Sequence, residues 1–169
     1  MSAGFRTDSK GRTHYILFQE LTMSCGPACV AMAEEIYKQA CLIDPEGRAR
    51  QISQNYEGRF TAAGGTNVTN LAYVLNALSV PAYAATDCSS RLYDYLHYYV
   101  KDRTPTIAHI SWASGGGHFT LCRIVDEDGT MVFLDPWYGV VEVRRNNLPN
   151  YNPTGATGTL SGWLVITHR

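Results

Sequence analysis

Gln19-Glu20-Leu21-Thr22-Met23-Ser24-Cys25-Gly26-Pro27-Ala28-Cys29 decides the fold: a polar approach ends in a cysteine, and a helical run follows at once. Gly26 and Pro27 favour a sharp start, because proline is tolerated in a first helical turn where its missing N–H has no partner to lose. The run Ala28 to Ala40 has helix-forming composition and an apolar stripe through Ala28, Met32, Ile36 and Tyr37, which predicts a helix over about 25–40. Cys25 then sits at a helix N-terminus. Unpaired N–H groups and the positive end of the macrodipole favour the thiolate there, and thiolate is the nucleophilic form. Most free cysteines are buried and inert, so Cys25 is singled out by its company. Gln19 offers an amide to a developing oxyanion, Ser24 and Gly26 permit close backbone approach, and a Gly115-Gly116-Gly117-His118-Phe119 run lies far downstream.

The remaining composition sets limits. A chain of 169 residues suits one domain, 1–169, with one substantial core. Its 45% hydrophobic and 17% charged residues, with a formal net charge of -1, lack the basic excess of a nucleic-acid binder. No apolar run approaches the roughly 20 residues needed to span a bilayer, and the first 12 residues lack the apolar centre of a secretory signal. These features predict a monomer located in a cytoplasm, with no nucleic-acid or membrane partner. Five cysteines exclude a complete internal disulfide set, and no second Cys or His pair has zinc-site spacing, so no metal is expected. Cys29, Cys41, Cys88 and Cys122 are assigned to packing.

Along the chain, residues 1–12 are expected as a polar, mobile lead-in and His14 to Phe18 as a short extended segment that delivers Gln19. Residues 42–65 are expected as mostly loop, with a short helix near 47–55. Leu71, Val74, Leu75 and Leu78 form one apolar face of a second helix, with Thr66 or Asn67 as its cap. Val80 to Ala85 is expected as an edge strand because of Pro81, and Asp87 or Ser89 as the cap of a third helix over 91–100. Strands follow at 105–112, 118–125, 130–135 and 140–143. A polar Asn/Pro/Gly stretch over 146–162 then precedes a last strand at 163–167. Helices first and an antiparallel sheet second make an α+β fold.

The hairpin between 118–125 and 130–135 tests whether His118 has a carboxylate partner. With an even loop and a tight turn at residues 127 and 128, opposed residue numbers sum to an odd number, and His118 and Asp135 share a face as diagonal neighbours. Such neighbours lie roughly 7 to 8 Å apart at the backbone, within reach of an imidazole and a carboxylate. An odd loop without a compensating bulge separates them. Together the three residues supply what acyl transfer through a thiolate requires. His118 takes the proton from Cys25 and returns it to the leaving amine, and Asp135 fixes the ring.

Gln19 six residues before Cys25 in Ser-Cys-Gly-Pro-Ala-Cys, with Gly-His-Phe119 and Leu-Asp-Pro136, resembles the papain-like bacterial peptidases that cut after double-glycine sequences, known from bacteriocin-exporting transporters. The resemblance runs from about Tyr15 to Val143. It implies a papain-like fold, with a helical half carrying the nucleophile on a helix start and an antiparallel sheet carrying the histidine and aspartate. It implies Cys25, His118 and Asp135 as a triad, Gln19 in the oxyanion hole, and no metal or organic cofactor. The implied partner is a protein or peptide substrate containing Gly-Gly. A narrow aromatic slot admits glycine and rejects larger residues by overlap; Tyr83, Trp112, Phe119, Trp137 and Tyr138 are its candidate walls, with Gly117 beside His118.

The segment 42–63 is longer than expected of transporter-linked members, and the tail from Leu148 has its own Gly/Thr-rich loop and closing strand. By analogy these features suggest an effector or toxin in bacterial competition, with an immunity or inhibitor protein as a further partner. Removal of bacteriocin leaders is the alternative. Two other classes remain at this stage: a different thiol-acyl enzyme (deamidase, transglutaminase or amidase) and a catalytically silent peptide-binding module. His109 is the rival base, and His14, His97 and His168 receive no role.

Overall fold

The computed structural model describes residues 2–169. A helical half built from α1 (Cys25–Lys38), α2 (Pro45–Ser53) and α3 (Val68–Ala77) packs on an antiparallel sheet. The sheet comprises β3 (Ala82–Ala85), β4 (Thr106–Trp112), β5 (Gly117–Val125), β6 (Thr130–Asp135), β7 (Gly139–Arg144), β8 (Asn150–Tyr151) and β9 (Gly158–Thr167). Its order is β3-β9-β4-β5-β6-β7, with β8 also paired to β9. The sequence-based α+β expectation agrees with this arrangement. Among the described residues no helix is long and apolar enough to cross a membrane.

Two cores hold the layers. On one side Val30, Ala33, Leu71 and Leu75 meet Ile107, Leu121, Leu134 and Val165. On the other, Leu92 and Leu96 of α4 (Leu92–Tyr99) join Ile110, Phe133, Tyr151 and Leu160. The first turn of α1 is pressed onto α3: a Cβ at Gly26 would lie 2.6 Å from Thr66 Cγ2 and 3.0 Å from Leu71 Cδ2. Only a residue without a side chain permits that approach, and it fixes where the helix start, and therefore Cys25, can sit. Asn67 caps α3 by accepting from Asn70 N, as expected of one of the two candidate caps. The cap of α4 differs from expectation. A 3-10 turn at Ser89–Arg91 leads in, and neither Asp87 nor Ser89 supplies a side-chain cap bond.

The first 12 residues also differ. β1 (Ser2–Thr7) pairs antiparallel with β2 (Thr13–Phe18), from Ser2 opposite Phe18 to Thr7 opposite Thr13. The charged residues that suggested a solvated lead-in are spent on a network at the hairpin tip. Asp8, whose side chain is fully buried, accepts from Arg12 Nε at 2.6 Å and lies 3.0 Å from His14 Nε2. Arg12 also bridges to Asp126 at 2.6 and 2.7 Å, tying this tip to the β5–β6 turn. Burial alone would push the Asp8 carboxyl up, but the His14 and Arg12 contacts outweigh it and hold the group well below its ordinary range. A carboxyl depressed on folding contributes stability that is present at neutral pH and lost as pH falls below about 4. Asp8→Asn should therefore cost about 2 kcal/mol at pH 7 and keep most of that cost at pH 3, where the folded carboxyl is still ionised, read from urea unfolding at the two pH values.

Candidate active site

Ser24 is the residue that decides what the start of α1 offers. It occupies the N-cap position but makes no side-chain cap bond. Its hydroxyl is turned to Leu21 instead, accepting from Leu21 N and donating to Leu21 O, each at 3.0 Å. The backbone N–H groups at the start of α1 are therefore left without a Ser24 side-chain cap, as at an anion-binding end of a helix.

His118 reaches Asp135 by a different route from the tight turn expected. Near the loop Val125 opposes Met131 and Ile124 opposes Val132, the parity of an odd loop closed by Asp126 N to Thr130 O at 2.8 Å. A bulge between Cys122 and Ile124 then shifts the register by one residue, so that Cys122 opposes Phe133 and Leu121 opposes Leu134. The bulge restores the odd parity and returns His118 and Asp135 to one face.

Asp135 is fully buried and is met by donors alone. His118 Nε2 lies 3.0 and 2.9 Å from its two oxygens; Trp137 N and Tyr138 N donate to Oδ1 at 2.8 and 3.0 Å, and the Tyr151 hydroxyl donates to Oδ2 at 2.7 Å. With Nε2 on the carboxylate, Nδ1 is the nitrogen left for the Cys25 thiol, whose proximity is felt by the ring. Burial pulls the imidazole's pKa down, but the Asp135 and Cys25 interactions outweigh it and raise the value to about 9. The imidazolium form is thus favoured at neutral pH. Trp112 stacks on the ring at 5.4 Å and 29°, shielding it from water.

Burial pushes Cys29, Cys88 and Cys122 upward, away from thiolate. His109, the rival base, bonds through Nδ1 to the Ser161 hydroxyl at 3.0 Å rather than to a carboxylate, and burial followed by the charge of His118 lowers its pKa. His14 belongs to the hairpin network, while His97 stacks on Tyr93 and His168 packs at a tilt against Tyr83.

The remaining expected site residues divide. Gln19 is beside the site, its N–H bonded to Pro136 O at 3.1 Å. Its amide nitrogen donates to Leu21 O and Thr22 O at 2.8 and 2.7 Å, so both amide protons are engaged, and Oε1 is buried without a partner. Gly117 lies against His109, and a side chain there would overlap the ring. Phe119 is buried in the core at 5% exposure instead of forming an open wall. Trp137 is 55% exposed beside Asp135. Tyr83 is at the far edge of the sheet with Tyr99 and His168, away from the site.

Tyr151 was missed. It lies in the stretch expected as polar loop, and its one signal is an isolated large aromatic among Asn, Pro and Gly. Fully buried, it links Asp135 to Thr120 Oγ1 at 3.1 Å. Tyr151→Phe removes one donor from the carboxylate that holds the imidazole. A drop of roughly tenfold in kcat with KM little changed is expected from the loss of one charge-assisted bond.

Among the curated proteins searched, none matches the chain. Among solved structures, it is similar to a double glycine motif protease from an AMS/PCAT transporter, crystallised in complex with the leader peptide. The TM-score is 0.58 at 18% identity, covering 90% of this chain and 89% of that one, which is a likeness of fold. The model of the peptidase C39 family matches residues 13–151. A helix-start cysteine facing a sheet-borne histidine thus accompanies a match over most of the chain: the protein belongs to the peptidase C39 family and is a cysteine peptidase.

Proposed function

We propose that the protein hydrolyses a peptide bond after a Gly-Gly sequence, with Cys25 as nucleophile, His118 as acid and base, and Asp135 as the group that orients His118. The observation that carries this reading is the series of contacts from the Cys25 thiol through the His118 ring to the buried Asp135 carboxylate. The thiolate attacks the carbonyl carbon after the second glycine. The tetrahedral oxyanion is received by the N–H of Cys25, and by Gln19 once substrate draws its amide from one of its two carbonyl contacts. His118 gives its Nδ1 proton to the amine as the C–N bond breaks, leaving a thioester. Water then attacks the thioester while His118 takes a proton from it, and the acid product and free thiol result.

Cleavage after glycine is supported by the family and by the structural neighbour, a double glycine motif protease. A panel of peptides that varies the two residues before the cut tests it. Gly-Gly should exceed Gly-Ala by at least about tenfold, since a slot shaped for a bare backbone has no room for a methyl group. Equal cleavage after Leu or Arg would contradict the slot.

Within this reading the substrate is a protein met in bacterial competition, with an immunity protein as the natural inhibitor. The length of the 42–63 segment supports a role distinct from leader removal. New protein N-termini that appear in exposed bacterial proteomes with active enzyme, and not with Cys25→Ala, test that role. New termini confined to bacteriocin precursors would favour leader removal instead.

A further inference from the structure

An open cavity of about 440 Å³ lies beside the two aromatic residues that flank the imidazole, walled by Trp112, Ala113, Ser114, Tyr138, Ala156 and Thr157. Trp112 belongs to both places: its ring is 5.4 Å from His118 and 5.9 Å from Tyr138. Tyr138 in turn presents its edge to His118 at 6.4 Å. Two residues packed against the imidazole therefore also wall the cavity.

Its walls are held in place. Trp112 lies flat on the backbone of Gly158, where a Cβ would meet the indole at 2.6 and 2.7 Å, and Tyr151 supports it from below at 6.2 Å. Ala113 N donates to Thr157 O at 2.9 Å, joining the two loops that form the rim. The volume is in the range of sites that take small ligands, about 300 to 1,000 Å³. None of the lining residues carries a charge.

The chemistry says which part of a substrate arrives there. His118 gives its proton to the leaving amine, so the fragment released first must lie along the imidazole and run on past it. Each residue advances the chain by about 3.3 to 3.6 Å. Ring spacings of 5 to 6 Å put the cavity within reach of the first three residues after the cut.

We propose that this cavity is a subsite for the leaving fragment, taking one large uncharged side chain, aromatic or aliphatic, from the first three residues after the scissile bond. The proposal rests on the peptidase reading of Cys25 and His118. Trp112 and Tyr138 supply flat apolar surface for such a side chain. A carboxylate or ammonium there gives up water and finds no opposite charge in the lining.

The test uses peptides identical through Gly-Gly, with Phe, Leu, Ala, Asp or Lys placed in turn at the first, second and third positions after it. Cleavage is followed by mass spectrometry on the wild type, Ala156→Trp and Tyr138→Ala. At one of the three positions, Phe and Leu should exceed Asp and Lys by roughly tenfold in kcat/KM. Ala156→Trp fills the cavity and should reduce that ratio to within about twofold of unity, and Tyr138→Ala should weaken it by removing a wall. Equal rates at all three positions in the wild type, or a ratio untouched by Ala156→Trp, would overturn the subsite while leaving the peptidase reading standing. Failure of the wild type to cut any Gly-Gly peptide would overturn the peptidase reading and the subsite with it.

Discussion

Cys25→Ala is expected to abolish cleavage, with a loss on the order of 10⁵- to 10⁶-fold in kcat, because a nucleophile and its base act as a unit that no neighbouring group replaces. The next cysteine in the helix, Cys29, is fully buried, and burial drives it away from thiolate. The fold should survive. Cys25 is 7% exposed at the edge of the core, and replacing its sulfur with hydrogen removes one small apolar atom, at a cost of about 1 kcal/mol. Circular dichroism and urea unfolding check the fold, and single-turnover cleavage checks the chemistry. Residual activity above about one part in a thousand would point to a different nucleophile.

Asp135→Asn is expected to have the second largest effect, and its size follows from a count of donors. His118, Trp137 N, Tyr138 N and Tyr151 all direct N–H or O–H groups at the two carboxylate oxygens. A carboxylate accepts at both oxygens, whereas an asparagine presents an NH₂ on one side and accepts there not at all. Whichever way the amide is turned, at least one buried donor is left facing another. The variant should lose about 10³-fold in kcat through misorientation of His118 and about 2 to 3 kcal/mol of stability through the unsatisfied donors. Activity assays paired with urea unfolding separate the two effects. Tolerance of asparagine would show that the charge of Asp135 is not needed to hold His118.

Much of this was legible in the sequence because it depends on short-range pattern. The helical stripe after Pro27 placed Cys25 at its start, and the strands from Thr106 onward carry apolar and β-branched runs bounded by glycine and aspartate. The meeting of His118 and Asp135 followed from strand parity, although the even loop assumed is in fact an odd loop corrected by a bulge at Arg123. Neither loop length nor bulge position is dictated by local composition, so the right adjacency came from the wrong turn.

What was not legible depends on distant partners. The first hairpin looked solvated because Asp8, Lys10 and Arg12 at its tip are charged, yet Asp8 is matched by Arg12, and Lys10 and Arg12 by Asp126 and Asp128, more than 100 residues later. Tyr151 gains its place only when β8 pairs with β9, a registration that a two-residue strand cannot announce. The direction of the Gln19 amide is set by two carbonyls of its own loop, which its position before Cys25 does not reveal. Exposure likewise separated Phe119, buried in the core, from Trp137, open beside Asp135.

The central claim is that His118 generates the Cys25 thiolate, and the rate of iodoacetamide alkylation at Cys25 tests it most directly. Peptide mass spectrometry distinguishes that cysteine from the exposed Cys41. The account predicts fast alkylation of wild-type Cys25 at pH 6 to 7, where the imidazolium is populated, and slowing of at least about tenfold in His118→Ala at the same pH. Equal rates in the two proteins across that range would contradict it.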